Sequence, residues 1–316
     1  RVVDSDGILE IPQIPKSLTI VGGGVVGTEY ASIFATLGVR VTLVDGRKNL
    51  LEFVDEEIIE ALKIRMREDG ITLRLGHKVS RVEFDDRGRP VALLETGAKV
   101  VSDVLMYAVG RRGATDTLNL DVTGIRANKR GRLTVNMHYQ TEIAHIYAVG
   151  DVIGQPALAS TSAEQGRLAA RHALGLKSPS IDDNLPIGIY TIPEISMIGK
   201  TEEELTSAGI AYESGIARYK EIARGVIIGD NFGVLKVLFS PDSRRVLGVH
   251  IFGSQASELL HIGQAVMQLG GTIDYFVETI FNYPTFAEAY KVAGLDGVNK
   301  VDRYTQSTPN ARNTSH

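Results

Sequence analysis

Leu18-Thr-Ile-Val21-Gly-Gly-Gly-Val-Val-Gly27-Thr-Glu-Tyr-Ala-Ser-Ile-Phe-Ala-Thr-Leu37-Gly-Val39-Arg-Val-Thr-Leu-Val44-Asp45 is the most regular stretch of the chain. Leu18–Val21 is a short apolar run, read as a buried strand. Tyr30, Ile33, Phe34 and Leu37 then recur at helical spacing over 28–37, and Gly38 stops the pattern. Val39–Val44 is a second, β-branched strand that ends on Asp45. Strand, glycine loop, helix and strand within about 30 residues form half of a doubly wound parallel sheet.

The pattern continues on either side. Residues 55–69 read as an amphipathic helix with Asp55 as N-cap and Gly70 as its stop. Ile71–Leu75 is the expected third parallel strand. Lys78–Phe84 and Val91–Glu95 flank Asp85-Asp-Arg-Gly-Arg-Pro90, which predicts a hairpin inserted into the sheet. Val100–Val109 reads as one more buried strand, ending at Gly110. Residues 111–145 are polar and rich in turns, Ile146–Val149 reads as a strand, and 161–174 as a helix with Thr161-x-x-Glu164 as a capping box. From about Asp182 the texture changes. Strands are expected over 188–193, 212–219, 226–228, 233–239 and 245–252, and helices over 256–269, 273–279 and 285–293, before a polar, frayed tail.

Composition narrows the function classes. Of 316 residues, 43 % are apolar and 23 % charged, which excludes disorder for most of the length. The net charge is −4 and no basic block occurs, so nucleic acid is not an expected partner. The longest apolar runs, such as 18–26, are too short for a membrane span. No secretory leader is read, and a cytoplasmic site is expected. Without cysteine the chain has no disulfide framework, and its 7 histidines show no metal spacing, so no metal is expected. The chain opens on Arg1 rather than Met and is expected to be a fragment.

Gly22-x-Gly24-x-x-Gly27 after a strand and before a helix is a dinucleotide cradle. The first glycine permits the tight turn, the second lets backbone approach a diphosphate, and the third lets helix and strand pack closely. Helix N–H groups and the macrodipole then stabilise the phosphates. Asp45 at the second strand's end suits the ribose hydroxyls of NAD, whereas Arg47 suits the 2′-phosphate of NADP. The loop carries both, so either nucleotide remains open at this point. Gly110 is a further candidate cofactor contact.

Ile146-Tyr-Ala-Val-Gly-Asp151 and Leu158-Ala-Ser-Thr-Ser-Ala-Glu-Gln-Gly166 carry a resemblance. With the glycine loop, they make the chain similar to the C-terminal two-thirds of a flavoprotein of the pyridine nucleotide-disulfide oxidoreductase family. The resemblance implies an α/β fold with a Rossmann-like NAD(P)-binding domain at 15–128, an FAD-binding remnant at 1–14 and 129–181, an α+β dimerisation domain at 182–302 and a tail at 303–316. It implies FAD, NAD and NADP as cofactors, with Asp151 and the backbone near Ala159 as FAD contacts and Glu29 beside the nicotinamide. A helix N-terminus there favours the anionic edge of a reduced flavin. It also implies a homodimer.

Phe281-Asn-Tyr-Pro-Thr-Phe-Ala-Glu288 resembles a family stretch that normally reads His-Pro-Thr-x-x-Glu, in which the His is the acid/base for a dithiol and the Glu orients it. Tyr283 stands at the His position, and a tyrosine of pKa about 10 is a poor proton shuttle at neutral pH. Tyr283 and Glu288 are therefore candidate catalytic positions whose chemistry differs from disulfide reduction. Pro284, Thr285 and Glu288 also fit a simple helix start. Asn282-Tyr-Pro-Thr285, Asp151-Val-Ile-Gly154 and Ile189-Tyr-Thr-Ile-Pro-Glu-Ile-Ser196 resemble the branch of the family that exchanges hydride between nicotinamides. The implied activity is flavin-dependent, Si-specific transhydrogenation between NADPH and NAD⁺. A dihydrolipoamide dehydrogenase-like reductase and a non-catalytic nucleotide-binding fragment stay open as alternatives. The resemblance implies that the family's FAD-binding glycine loop, and the redox cysteines of its disulfide reductases, belong to an N-terminal region of about 150 residues that this sequence is expected to lack.

Overall fold

A computed structural model describes residues 1–181 and 184–307. Residues 1–109 and 186–316 cluster as one compact unit and 110–185 as another.

In the first unit, β1 (Val2–Val3), β2 (Ser17–Val21), β3 (Arg40–Asp45) and β4 (Thr72–Leu75) alternate with α1 (Val25–Thr36) and α2 (Glu56–Glu68). β5 (Val79–Phe84), β6 (Pro90–Leu94) and β7 (Lys99–Val101) form a separate antiparallel meander, and β8 (Val104–Tyr107) returns to the main sheet. That sheet is parallel throughout, in the order β1-β8-β2-β3-β4. Leu18, Ile20, Val41, Leu43 and Met106 pack inside it against Phe34, Ile58 and Leu62 from the helices. Each such side chain removed from water contributes roughly 1.5–3 kcal/mol. β2 pairs with β3 on one side and β8 on the other, so the loop after Val21 sits at the carboxyl ends of three strands.

The apolar run 100–109 is two strands rather than one. Ser102 breaks it, donating its hydroxyl to the Val104 carbonyl while its amide donates to Pro90, and the chain passes from the meander to the parallel sheet. Continuous hydrophobicity conceals such a transfer, since the apolar run reads alike through the largely exposed β7 and the buried β8.

The second unit holds α3 (Ala159–Ala173) and a small core of Ile125, Leu133 and Ala148. Here 146–149 is not a strand: a single bridge joins Gln140 to Tyr147, and a 3₁₀ turn covers Gly150–Ile153. The expected capping box at Thr161 does not form. α3 starts earlier, with Leu158 as its N-cap; Thr161 is buried, and Glu164 pairs with Arg167.

The remainder of the first unit is β9 (Ile187–Ile189), β10 (Ile195–Gly199), α4 (Glu202–Ser207), β11 (Glu213–Arg218), α5 (Ala223–Ile228), β12 (Val234–Phe239), β13 (Val246–Phe252), α6 (Ala256–Gln268), α7 (Asp274–Glu278) and α8 (Glu288–Ser307). Its antiparallel sheet runs β11-β12-β13-β10-β9. Residues 226–228, expected as a strand, close helix α5: their side chains have no sheet to join, and Gly229 at φ 77° ends the turn. The helix expected from Thr285 begins at Glu288, because Thr285 donates to the Asn282 carbonyl within the preceding turn, and it runs on to Ser307. The tail expected from 303 is thus helical to 307; its remainder lies outside the described residues.

Candidate functional site

The glycine loop between β2 and α1 is shaped by three different constraints. Gly22 has φ 111°, and a Cβ there would lie 2.6 Å from the Ala108 carbonyl oxygen. A Cβ on Gly27 would lie 1.8 Å from the Gly22 carbonyl oxygen, so α1 rests directly on the loop backbone. A Cβ on Gly24 would meet nothing within 4 Å. Gly24 is the N-cap of α1 and no side chain caps that end. The loop therefore presents a helix N-terminus to open space, the arrangement that receives a diphosphate.

Asp45 closes β3 beside this loop, and its side chain is 7 % exposed. Its Oδ2 accepts from the Gly23 amide and from Arg47 Nη2 at 2.8 Å; its Oδ1 accepts from the Arg47 amide at 2.7 Å and from Arg47 Nε at 3.0 Å. Burial alone pushes this carboxyl up, but the bonds from Arg47 and Gly23 prevail and hold it below the usual carboxylate range. A carboxylate offers about four acceptor positions, and all are engaged. Asp45 and Arg47, read from sequence as serving alternative nucleotides, form one two-pronged ion pair.

Glu29 stands in the second turn of α1, so a first-turn role favoured by the helix dipole does not apply to it. Its Oε1 accepts the Tyr190 amide at 2.8 Å, and Ser32 Oγ accepts the Ile192 amide at 3.1 Å. Burial raises the Glu29 carboxyl above its usual value, with the Tyr190 bond opposing. The sequence singled out Glu29 as a candidate but gave no sign that the segment after β9 bonds to it, since no spacing signal connects the two.

Asp151 and Ala159 lie in the second unit. Asp151 sits in the 3₁₀ turn, exposed, and its carboxylate accepts no hydrogen bond among the described residues. Ala159 is the first residue of α3, whose N-terminus has no side-chain cap. Gly110 follows β8 at φ 88° with open space around its missing Cβ. Tyr283 is 71 % exposed, whereas Glu288 Oε2 is buried without a hydrogen-bond partner. These two are not hydrogen-bonded to each other, unlike the acid/base pair that their spacing resembles. No group of three or more His, Cys, Asp or Glu among the described residues is arranged to hold a metal ion, and no described helix is long and apolar enough to cross a membrane.

Residues 1–166 match the family described as Pyridine nucleotide-disulphide oxidoreductase, and 185–293 match its dimerisation domain. Similar curated proteins include a soluble pyridine nucleotide transhydrogenase of Mycobacterium tuberculosis, 52 % identical over 97 % of this chain and 65 % of that protein. Another of that name, from Aliivibrio fischeri, is 48 % identical over 95 % of this chain and 64 % of its own length. The chain thus spans 65 % or less of the length of these two relatives. Among solved structures, the HOCl-induced flavoprotein disulfide reductase RclA of Escherichia coli superposes with a TM-score of 0.88 at 29 % identity, covering 93 % of this chain and 68 % of that one. LpdA of Mycobacterium tuberculosis gives 0.85 at 26 % identity, over 93 % of this chain and 64 % of LpdA.

Proposed function

The chain belongs to the pyridine nucleotide-disulphide oxidoreductase family, and from that premise we propose that it is the nucleotide-binding and C-terminal part of a flavin-dependent transhydrogenase acting between NADPH and NAD⁺. The observation that carries this is the glycine cradle: a close-packed turn whose Gly24 faces open space at an uncapped helix end, beside a carboxylate-tipped strand. In this reading Gly22, Gly24 and Gly27 hold the diphosphate of either nucleotide by backbone amides. In this reading a bond of the Asp45–Arg47 pair gives way on binding, so that Asp45 accepts from an unmodified ribose or Arg47 turns to a 2′-phosphate. Glu29 lies along the nicotinamide, and its carboxylate is fixed by the Tyr190 amide.

FAD, when bound, would supply a ring that takes hydride from one nicotinamide and gives it to the next. In the second unit the free Asp151 carboxylate suits a polyol hydroxyl, and the uncapped N-terminus of α3 suits an anionic ring edge. One nucleotide site serving both substrates requires the first product to leave before the second substrate enters, hence ping-pong kinetics. Exposed Tyr283, unpaired with Glu288, offers no acid/base couple for a dithiol, which disfavours the dihydrolipoamide dehydrogenase-like reading. An FAD-binding remnant at 1–14 and 129–181, a nucleotide-binding domain at 15–128, a C-terminal domain at 182–302 that forms a homodimer, and a cytoplasmic setting complete the proposal.

The test is NADPH-driven reduction of a thio-NAD analogue by the flavin-loaded protein without any disulfide. Turnover with parallel double-reciprocal plots is expected, and its absence in a protein that reduces lipoamide would overturn the proposal. A colourless protein that binds NADH and turns over neither substrate would instead support the non-catalytic alternative.

A further inference from the structure

The loop after β3 is zipped to the connection between β4 and β5. The Gly76 amide donates to the Arg47 carbonyl at 2.7 Å and the His77 amide to the Asp45 carbonyl at 3.0 Å. Lys78, the next residue, lays its side chain over the first loop. A Cβ built on Gly46 would lie 2.7 Å from Lys78 Cγ, 3.6 Å from its Cδ and 3.5 Å from its Cε. The stem therefore follows Gly46, between Asp45 and Arg47 in the chain, and the ammonium lies one bond beyond. Its backbone is fixed too, since the Lys78 carbonyl accepts the Glu95 amide at 2.9 Å. Among the described residues no carboxylate lies within salt-bridge distance of the Lys78 ammonium.

The charge balance makes this consequential. Arg47 is the evident partner for a 2′-phosphate, but its fork lies on Asp45 and it also feels the Glu52 carboxylate. The Asp45–Arg47 pair is close to neutral, whereas a phosphate monoester carries about −1.5 to −2 at neutral pH. A neutral pair gives little preference for a dianion; a nearby unpaired cation does. We propose that Lys78, reaching over Gly46 from the β4–β5 connection, is a specificity-determining residue that supplies the unpaired positive charge of a 2′-phosphate subsite shared with Arg47. The inference rests on the dinucleotide reading above and assigns its discrimination between NADP⁺ and NAD⁺ to a second loop.

Calorimetric titration with NADP⁺ and NAD⁺ tests it, on the wild-type protein and on Lys78→Ala and Lys78→Arg, at low and high salt. Lys78 is exposed and its removal leaves the packing intact. Lys78→Ala is expected to weaken NADP⁺ about 5- to 20-fold at low salt while leaving NAD⁺ within about two-fold, with a smaller difference at high salt. Lys78→Arg is expected to retain the wild-type preference. Equal effects on both nucleotides, or none on either, with wild-type binding intact would overturn the role of Lys78 alone. A wild-type protein that binds neither nucleotide would overturn the dinucleotide reading and this inference with it.

Discussion

Asp45 keeps its charge in a nearly closed setting because four donors surround it, and that has a measurable consequence in acid. Its folded value lies below the ordinary carboxylate value of about 3.9. The stabilisation it gives is therefore whole above that ordinary value and is lost as pH falls through the depressed one. Urea midpoints followed from pH 5 to pH 3 should drop less steeply for Asp45→Asn than for the wild-type protein. The same variant should lose NAD⁺ affinity, since its amide cannot accept in both directions; an unchanged affinity would remove Asp45 from the ribose site. Glu29 is the opposite case, raised by burial. If it faces a cationic nicotinamide, NAD⁺ affinity should fall as pH drops through a value above the usual Glu range. Glu29→Gln preserves an acceptor for the Tyr190 amide, so it should keep the melting temperature and show a flat pH profile of NAD⁺ binding. A profile identical to wild type would exclude that role.

The first turn of α1 offers a separation of stability from binding that few elements allow. Gly27→Ala drives a methyl into the Gly22 carbonyl, with no side-chain end to yield, and should cost about 1–3 kcal/mol or more along with dinucleotide affinity. Gly24→Ala meets nothing, at φ −77° that any residue adopts, and replaces glycine at an N-cap at a cost below about 1 kcal/mol. Its methyl would nevertheless enter the space assigned to the diphosphate, so near-normal unfolding with lost NADH binding is expected by calorimetry. Retained binding would mean the open space is not the phosphate site. This element was legible because its constraints are local: the glycines, the strand before them and Asp45 after them all follow from spacing. What was illegible depends on distant partners. Ser102 ends β7 through Pro90 and Val104, and Lys78 reaches Gly46 across two loops, neither of which a periodicity can register. Residues 226–228 look like a strand by propensity, yet Gly229 and the tight turn at Gly225 make them helical.

The unit formed by residues 1–109 and 186–316 is assembled from two chain segments, and a charge cluster around a buried Lys236–Asp55 pair joins them. Lys236 on β12 is 2 % exposed and holds Asp55 at 2.9 Å, Glu202 at 3.1 Å and Glu57 at 3.3 Å. Asp55 is wholly buried, and it also caps α2 by accepting the Glu57 amide. Burial alone would lower the Lys236 ammonium, but its bonds to Asp55 and Glu202 outweigh that and raise it, so Lys236 keeps its charge in the folded protein. Such a cluster adds little net stability compared with an apolar replacement, because desolvation offsets the attraction; breaking one side of it is a different matter. Lys236→Met strands the Asp55 carboxylate in the interior and should cost about 3–5 kcal/mol in urea unfolding. Lys236→Met with Asp55→Asn keeps the α2 cap, removes the stranded charge and should recover part of that loss. The recovery, measured as a coupling energy in a double-mutant cycle, separates a charge-specific joint from plain packing. Strictly additive losses would show that the two segments are held by their apolar contacts alone.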